Sequence, residues 1–126
     1  MSDVVTVNEA LVAARAEIDN QLQYNSQQMG RMQAKRGSVS QDQKDKIDVK
    51  VDNLAEKNIE LRDAWLANVA KILNLGDLVG SLKEQTKKMD DEAKVIGGVV
   101  TMLKTADALV SISSATVELV NGAPKK

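Results

Sequence analysis

Residues 95–121, VIGGVVTMLKTADALVSISSATVELVN, decide the fold of this 126-residue chain. The apolar side chains of this segment cover well over half of the circumference of a helix, and such a helix must be buried over most of its surface. In a bundle of three helices, each helix buries about one stripe of its surface against the other two. This segment therefore has more apolar surface than two neighbouring helices can cover. Among its apolar residues are Val95, Ile96, Val99, Val100, Met102, Leu103, Ala106, Leu109, Val110 and Ile112.

The glycine pair Gly97-Gly98 offers one way to cover this surplus. Two glycines inside a helix cost about 2 kcal/mol relative to two alanines. The pair can therefore be a hinge from which residues 99–121 fold back as a fourth helix. Alternatively, the helix continues and its small residues let another helix approach closely. In a third arrangement, a second copy of the chain, another protein or lipid covers the surface. The sequence leaves these alternatives open.

Capping signals divide the rest of the chain into helices. In the pattern S/T-x-x-E/Q, the first and last residues cap each other's backbone N–H groups. Glycine closes the last turn of a helix in a left-handed conformation. The start and stop signals are Thr6 with Glu9 and Gly37, Ser40 with Gln43 and Gly76, and Ser81 with Glu84 and Gly122. We therefore predict helices over about 7–36, 41–75 and 82–121, followed by a tail at 122–126.

Short links at 37–40 and 76–81 connect these segments. Links of this length place successive helices antiparallel and side by side. The sequence therefore predicts an all-α fold with a single domain over residues 1–126. The architecture we expect is an elongated, antiparallel, coiled-coil-like bundle of three long helices, or of four helices if the chain breaks at Gly97-Gly98.

The second predicted helix carries a coiled-coil seam. The seam residues alternate at spacings of four and three. They are Ile47, Val51, Leu54, Asn58, Leu61, Trp65, Asn68, Ile72 and Leu75, so that two asparagines lie in an otherwise apolar seam. Asparagine inside such a seam fixes its register at some cost in stability, which is the role we predict for both residues. The first helix has six amide side chains within residues 20–28. These amides either join polar layers in the bundle or lie on an exposed face.

The absence of His and Cys excludes several kinds of site. The chain has no Ser-His-Asp triad, thiol nucleophile, disulfide or Cys/His zinc site. It also lacks a glycine-rich phosphate loop and an EF-hand loop. We therefore expect no enzymatic activity, cofactor, metal site or small-molecule substrate. Nucleic-acid binding is not expected either, because 17 basic and 18 acidic residues are spread evenly and only one Trp and one Tyr are present.

The N-terminus, Met1-Ser2-Asp3, leads into no long apolar run, so we expect no Sec-type signal peptide. The uncharged stretches at 95–103 and 108–117 are shorter than the roughly 18–20 residues that a membrane-spanning helix needs. The expected location is the cytoplasm, or outside the cell by a route other than Sec; the sequence does not choose between these compartments.

These features predict a non-enzymatic helical-bundle interaction module of the adaptor, chaperone, immunity or assembly type. It would act through the apolar face of the third predicted helix, and its partner would be a second copy of the chain or a helix of another protein. The predicted partner or oligomer interface consists of Val95, Val99, Val100, Met102, Leu103, Leu109, Val110 and Ile112.

The alternative is a membrane-active protein, a pore-forming or translocated component that releases the 95–121 segment at a bilayer. Lys104, Asp107 and Glu118 argue against this interpretation. Lys and Asp each cost about 2.5–3.5 kcal/mol at the centre of a membrane-spanning helix.

Overall fold

The computed structural model describes the backbone of residues 2–126 and the side chains from residue 8 onward. Four α-helices pack against one another: α1 (Ser2–Lys35), α2 (Gln41–Asn68), α3 (Leu75–Ala93) and α4 (Val99–Gly122). Single 3-10 turns at Arg36–Ser38 and Val69–Lys71 follow α1 and α2. The predicted all-α helical bundle is thus confirmed.

The order of the helices around the bundle is α1, α2, α4, α3. α1 and α4 each pack beside both α2 and α3, and they also contact each other across the centre. Within the described residues, no Cα atom of α2 lies within 8 Å of a Cα atom of α3. Successive helices therefore lie side by side in the α1–α2 and α3–α4 hairpins, whereas the link from α2 to α3 crosses the bundle diagonally. The expectation that every pair of successive helices is adjacent is wrong for α2 and α3.

The start of α2 is capped as predicted. The Ser40 hydroxyl accepts a hydrogen bond from the Gln43 backbone N–H at 3.2 Å. The predicted boundaries at 75 and 82 are wrong, because Asn74 caps the next helix and accepts from the Asp77 backbone N–H at 3.2 Å. The Ser81–Glu84 pair consequently lies inside α3.

The predicted continuation of α2 to residue 75 is replaced by a link that still reaches the core. Ile72 has extended backbone and is only 3% exposed. The C-terminal tail holds this link in place: Leu73 donates its backbone N–H to the Pro124 carbonyl at 2.8 Å, and Lys126 donates to the Lys71 carbonyl at 2.7 Å. The seam spacing therefore predicts the burial of Ile72 correctly. The helical conformation that it predicts for this residue is wrong.

The glycines do not close helices in the predicted way. Across residues 2–126, no glycine has a positive φ. Gly37 lies in a 3-10 turn, Gly76 lies in the first turn of α3, and Gly122 is the last residue of α4. The first helix begins at Ser2 instead of at about residue 7, which places Thr6 and Glu9 inside it; the predicted capping by Thr6 concerns a side chain outside the described residues.

The third predicted helix, 82–121, is in fact two helices. α3 ends at Ala93 and α4 begins at Val99, so Gly97 and Gly98 lie in the link between them. Of the alternatives that the sequence leaves open, the structure has the fold-back of residues 99–121. This arrangement gives the apolar segment three neighbouring helices to pack against instead of two.

The core consists of two apolar clusters with polar side chains between them. One cluster includes Ile18, Trp65, Leu82 and Val120, and the other includes Met32, Leu54, Met89 and Leu109. The residues between the clusters form a layer that we call the amide layer: Asn25, Asn58 and Ser113.

Hydrogen bonds join three helices in the amide layer. The Asn25 side-chain N–H₂ donates to Asn58 Oδ1 on α2 and to Ser113 Oγ on α4, both at 2.9 Å. One turn away on each side, Gln21 donates to Thr86 on α3 at 3.2 Å, and Gln28 donates to the Met102 carbonyl on α4 at 3.0 Å. Three of the six amides of the first helix, Gln21, Asn25 and Gln28, thus join polar layers, whereas Asn20, Gln23 and Gln27 lie on the exposed face, so each of the two predicted alternatives holds for half of them.

Candidate interaction surface

The structure divides the eight predicted interface residues into three groups. Leu109 is fully buried in the core, where it packs in the cluster of Leu54 and Met89. Five residues are half-buried against that cluster: Val99, Met102, Leu103, Val110 and Ile112. Only Val95 and Val100 are exposed, with 53% and 59% of their surface accessible. The fold-back of α4 therefore leaves the N-terminal end of the predicted surface free and covers most of the remainder.

The most exposed apolar side chain of this region is Ile96, at 97%. Ile96 is absent from the predicted interface, although its position directly before the glycine pair could have indicated it. A side chain in a link that leaves a helix has no helix face with which to pack. We refer to the three exposed side chains Val95, Ile96 and Val100 as the α3–α4 tip.

The backbone of the tip has a fixed geometry. Val95 donates its backbone N–H to the Glu92 carbonyl at 3.2 Å, and Met102 donates to the Gly98 carbonyl at 3.1 Å. On α1, Arg31 Nη1 donates to the Ala93 carbonyl at 3.1 Å and so ties the end of α3 to its neighbour. The backbone beside the tip is therefore hydrogen-bonded, while its apolar side chains are exposed.

A charged cluster braces the last turn of α3. Lys94 Nζ lies 2.8 Å from Asp90 Oδ2, and the Tyr24 hydroxyl donates to Asp90 Oδ1 at 2.7 Å. The hydrogen bonds from Lys94 and then from Tyr24 lower the pKa of the Asp90 carboxyl, and the hydrogen bond to Asp90 raises the pKa of Lys94 and of Tyr24. Since a lowered carboxyl pKa favours the ionised form, this bracing is present at neutral pH and is lost as the pH falls through the lowered pKa of Asp90.

The two glycines of the predicted hinge have different surroundings. A Cβ built on Gly97 would lie 2.7 Å from Cβ of Thr101, whereas a Cβ on Gly98 would meet nothing within 4 Å. The φ of Gly98 is −80°, which any residue adopts. Only Gly97 is therefore required to be glycine for steric reasons.

We expect Gly97→Ala to lower the free energy of unfolding by about 1–3 kcal/mol, because the new methyl group forces Thr101 or the link to move. Gly98→Ala should change the same quantity by less than about 0.5 kcal/mol. Urea denaturation of the two variants measures both effects. Equal losses for the two variants would contradict this assignment of Gly97.

Basic side chains surround the tip. Arg31 lines a hollow of about 190 Å³ together with Val95 and Ile96. Lys94 directly precedes the tip, and Lys104 follows Val100 by one helical turn and is exposed. Within the described residues, Lys104 has no carboxylate within 4 Å, in contrast to Lys94. The tip thus combines an apolar end with at least one cation that is free to pair.

A groove lies between α3 and α4 at the other end of this hairpin. It has a volume of about 510 Å³. Leu78, Ala115 and Leu119 supply apolar lining, and Asp77 and Glu118 supply carboxylates. None of its lining residues is basic, and no cation lies within 4 Å of either carboxylate in the part of the chain that the structure describes. We call this feature the α3–α4 groove.

A second groove, of about 460 Å³, lies between α1 and α2. Its lining includes Trp65, of which 8% is exposed, and Leu66, of which 67% is exposed. Arg15 and Arg62 also line it. Leu66 makes this groove a second exposed apolar surface that the α3–α4 tip can be compared with.

The two seam asparagines both contact other helices. Asn58 belongs to the amide layer, and its side-chain N–H₂ also donates to the Leu22 carbonyl at 3.3 Å. Asn68 donates to Asn121 Oδ1 on α4 at 2.9 Å and to the Ala64 carbonyl at 2.8 Å. Asn68 is the last residue of α2, so these two hydrogen bonds are made at the end of the helix. Their role in fixing register remains a prediction.

Among the described residues, no group of three or more His, Cys, Asp or Glu side chains could hold a metal ion. No helix in that part of the chain is both long and apolar enough to cross a membrane. Comparison with protein-family models, with curated proteins and with solved structures finds no match to this chain. The chemistry of the tip and of the two grooves is therefore the basis for any functional proposal.

Proposed function

We propose that this chain is a non-enzymatic interaction module of the adaptor, chaperone, immunity or assembly type, and that its contact surface is the α3–α4 tip. This proposal keeps the segment predicted from the sequence and narrows the surface to the residues that the fold leaves exposed. Self-association through the tip is the simplest form of the proposal, because it requires no other protein.

The observation that carries the proposal is the exposure of Ile96, at 97%, between two valines that are more than half exposed. Single exposed apolar residues are common on protein surfaces, whereas exposed apolar residues that adjoin one another mark contact sites. Burying one isoleucine side chain fully is worth about 1.5–3 kcal/mol. Ile96 therefore offers the largest gain of the three tip side chains when a partner buries it.

Ile96→Asp tests this proposal directly. We expect the mass of the unmodified chain, measured by light scattering, to rise with concentration from 13.6 kDa toward twice that value. The Ile96→Asp variant should remain at the mass of one chain, because burying the new carboxylate in an interface is unfavourable. Since Ile96 makes no core contact, the circular dichroism spectrum should be unchanged, and so should the urea midpoint at concentrations where the unmodified chain is monomeric.

Leu66→Asp is the matched control, because Leu66 is also a well-exposed large apolar residue and lies on α2. This variant should associate as the unmodified chain does. A mass of one chain at every concentration of the unmodified protein would contradict self-association. If Leu66→Asp abolishes association and Ile96→Asp does not, the contact lies at the α1–α2 groove and the proposal is wrong.

Contact with a membrane surface is the second candidate function. It is favoured by the position of an exposed isoleucine beside Arg31, Lys94 and Lys104, since apolar side chains with flanking basic residues bind anionic bilayers. Flotation with vesicles of phosphatidylserine and phosphatidylcholine separates the candidates. Binding that requires phosphatidylserine and is lost in Ile96→Asp supports the membrane; absence of flotation removes this candidate.

A further inference from the structure

The α3–α4 tip and the α3–α4 groove are surfaces of opposite character on one helical hairpin. The tip presents isoleucine and valine side chains with Lys104 one turn away, and the groove presents an apolar lining with Asp77 and Glu118. The link between α3 and α4 and the first turn of α4 form the tip, whereas the start of α3 and the end of α4 form the groove. Two hairpins laid antiparallel would therefore bring each tip beside the groove of the other.

The charges on α4 are placed symmetrically for this arrangement. Lys104 lies seven residues before Ser111, and Glu118 lies seven residues after it. Seven residues are about two helical turns, or about 10 Å along the axis, so the three residues share one side of α4. Lys104, Ser111 and Glu118 are all exposed. A two-fold axis at Ser111 would place Lys104 of each copy opposite Glu118 of the other.

The distance along α4 also suits the apolar contact. Ile96 precedes Ser111 by 15 residues, and the groove residues Leu119 and Pro124 follow it by eight and 13. In this register the tip of one copy lies beside the end of the groove in the other. The groove volume of about 510 Å³ is ample for an isoleucine side chain and its valine neighbours. Between the charged positions, Ala108 and Ala115 are small enough not to hold the two helices apart.

We infer that two copies of this chain associate as an antiparallel two-fold dimer in which each α3–α4 tip occupies the α3–α4 groove of its partner. Lys104 of each copy pairs with Glu118 of the other. This inference rests on the proposed function and adds the occupant of the groove and the symmetry of the contact. Two-fold dimers bury both copies of a self-complementary surface, so the assembly closes at two chains.

Charge reversal at the two positions tests this geometry. In Lys104→Glu the dimer would hold two Glu–Glu contacts, and in Glu118→Lys two Lys–Lys contacts. We expect each single variant to raise the dimer dissociation constant by about tenfold or more. Sedimentation equilibrium measures the constants, and circular dichroism should show that both exposed substitutions leave the fold intact.

Restoration of the dimer is the decisive result. An equimolar mixture of the Lys104→Glu and Glu118→Lys variants should form a one-to-one heterodimer with nearly the affinity of the unmodified chain. The double variant Lys104→Glu/Glu118→Lys should dimerise with itself, since both pairs are then present in the reversed sense. Assemblies larger than two chains would contradict the closed two-fold symmetry.

The two proposals fail differently. Suppose that Ile96→Asp dissociates the assembly but neither the mixture nor the double variant restores affinity. The tip is then a contact surface, but it binds a surface other than the α3–α4 groove of the partner. In that case this inference is wrong and the proposed function stands. If Ile96→Asp leaves the assembly unchanged, both are wrong.

Discussion

Leu109→Ala is expected to lower the free energy of unfolding by about 3 kcal/mol, because it removes a buried leucine from the centre of a packed cluster. Leu109 is fully buried and packs with Leu54, Met89 and Ala106. Leucine-to-alanine changes in protein cores cost about 2–5 kcal/mol through lost burial and the cavity that remains. Urea denaturation followed by the fluorescence of the single Trp65, which lies in the core, measures the loss.

Val100→Ala is the matched control on the same helix. Val100 is 59% exposed, so its truncation should change the free energy of unfolding by less than about 0.5 kcal/mol. The contrast between the two variants tests how α4 divides its apolar residues between the core and the tip. Equal small effects of both substitutions would mean that α4 does not pack in the bundle as described.

Asn25→Ala is expected to destabilise the fold by about 2–4 kcal/mol. Asn25 is fully buried, and its side-chain N–H₂ donates to both Asn58 Oδ1 and Ser113 Oγ. Removing the donor leaves a half-buried acceptor on α2 and a fully buried hydroxyl on α4 without this partner, and the loss of a buried partner costs about 1–3 kcal/mol. The same urea denaturation experiment measures the change.

Asn20→Ala provides the control for this variant, because Asn20 carries the same amide on the same helix and is exposed. It should change the free energy of unfolding by less than about 0.5 kcal/mol. Ser113→Ala should cost less in the Asn25→Ala background than alone, since the two residues share a hydrogen bond. If Asn25→Ala is as mild as Asn20→Ala, the amide layer does not hold the three helices together.

The amide layer is not fully satisfied within the described residues. Asn25 Oδ1 in the layer is buried without a hydrogen-bond partner, and so is Gln21 Oε1 one turn away from it. A buried polar layer of this kind contributes less to stability than apolar packing, and it disfavours shifted registers in which amides would face apolar side chains. The two apolar clusters on either side supply the burial that holds the bundle together.

The sequence predicts the helical class and the burial pattern of this chain well, because both depend on periodicity. The α2 seam spacing places Ile47, Leu54 and Leu61 in the core, as observed. Helix boundaries are harder to predict, because several capping signals compete. Asn74 caps α3 although Ser81 and Glu84 form the more complete sequence pattern. Helix order is also not a local property, which is why the diagonal link from α2 to α3 escapes prediction.

The interaction surface is only partly predictable for a related reason. The surplus of apolar residues after residue 95 is visible in the sequence, but which of them remain exposed depends on whether the chain breaks at the glycine pair. The break buries Leu109 and exposes Ile96. Grooves between helices, such as the one lined by Leu78 and Leu119, exist only after the hairpin has closed.

The accessibility of residue 96 in the assembled protein tests the central claim most directly. Because the chain has no cysteine, Ile96→Cys introduces a single thiol at the tip, and Leu66→Cys introduces one on α2. The rate of alkylation, measured with increasing amounts of unmodified protein, should fall several-fold at position 96 and stay constant at position 66. A constant rate at position 96, under conditions where light scattering shows association, would contradict the claim that the α3–α4 tip is the contact surface.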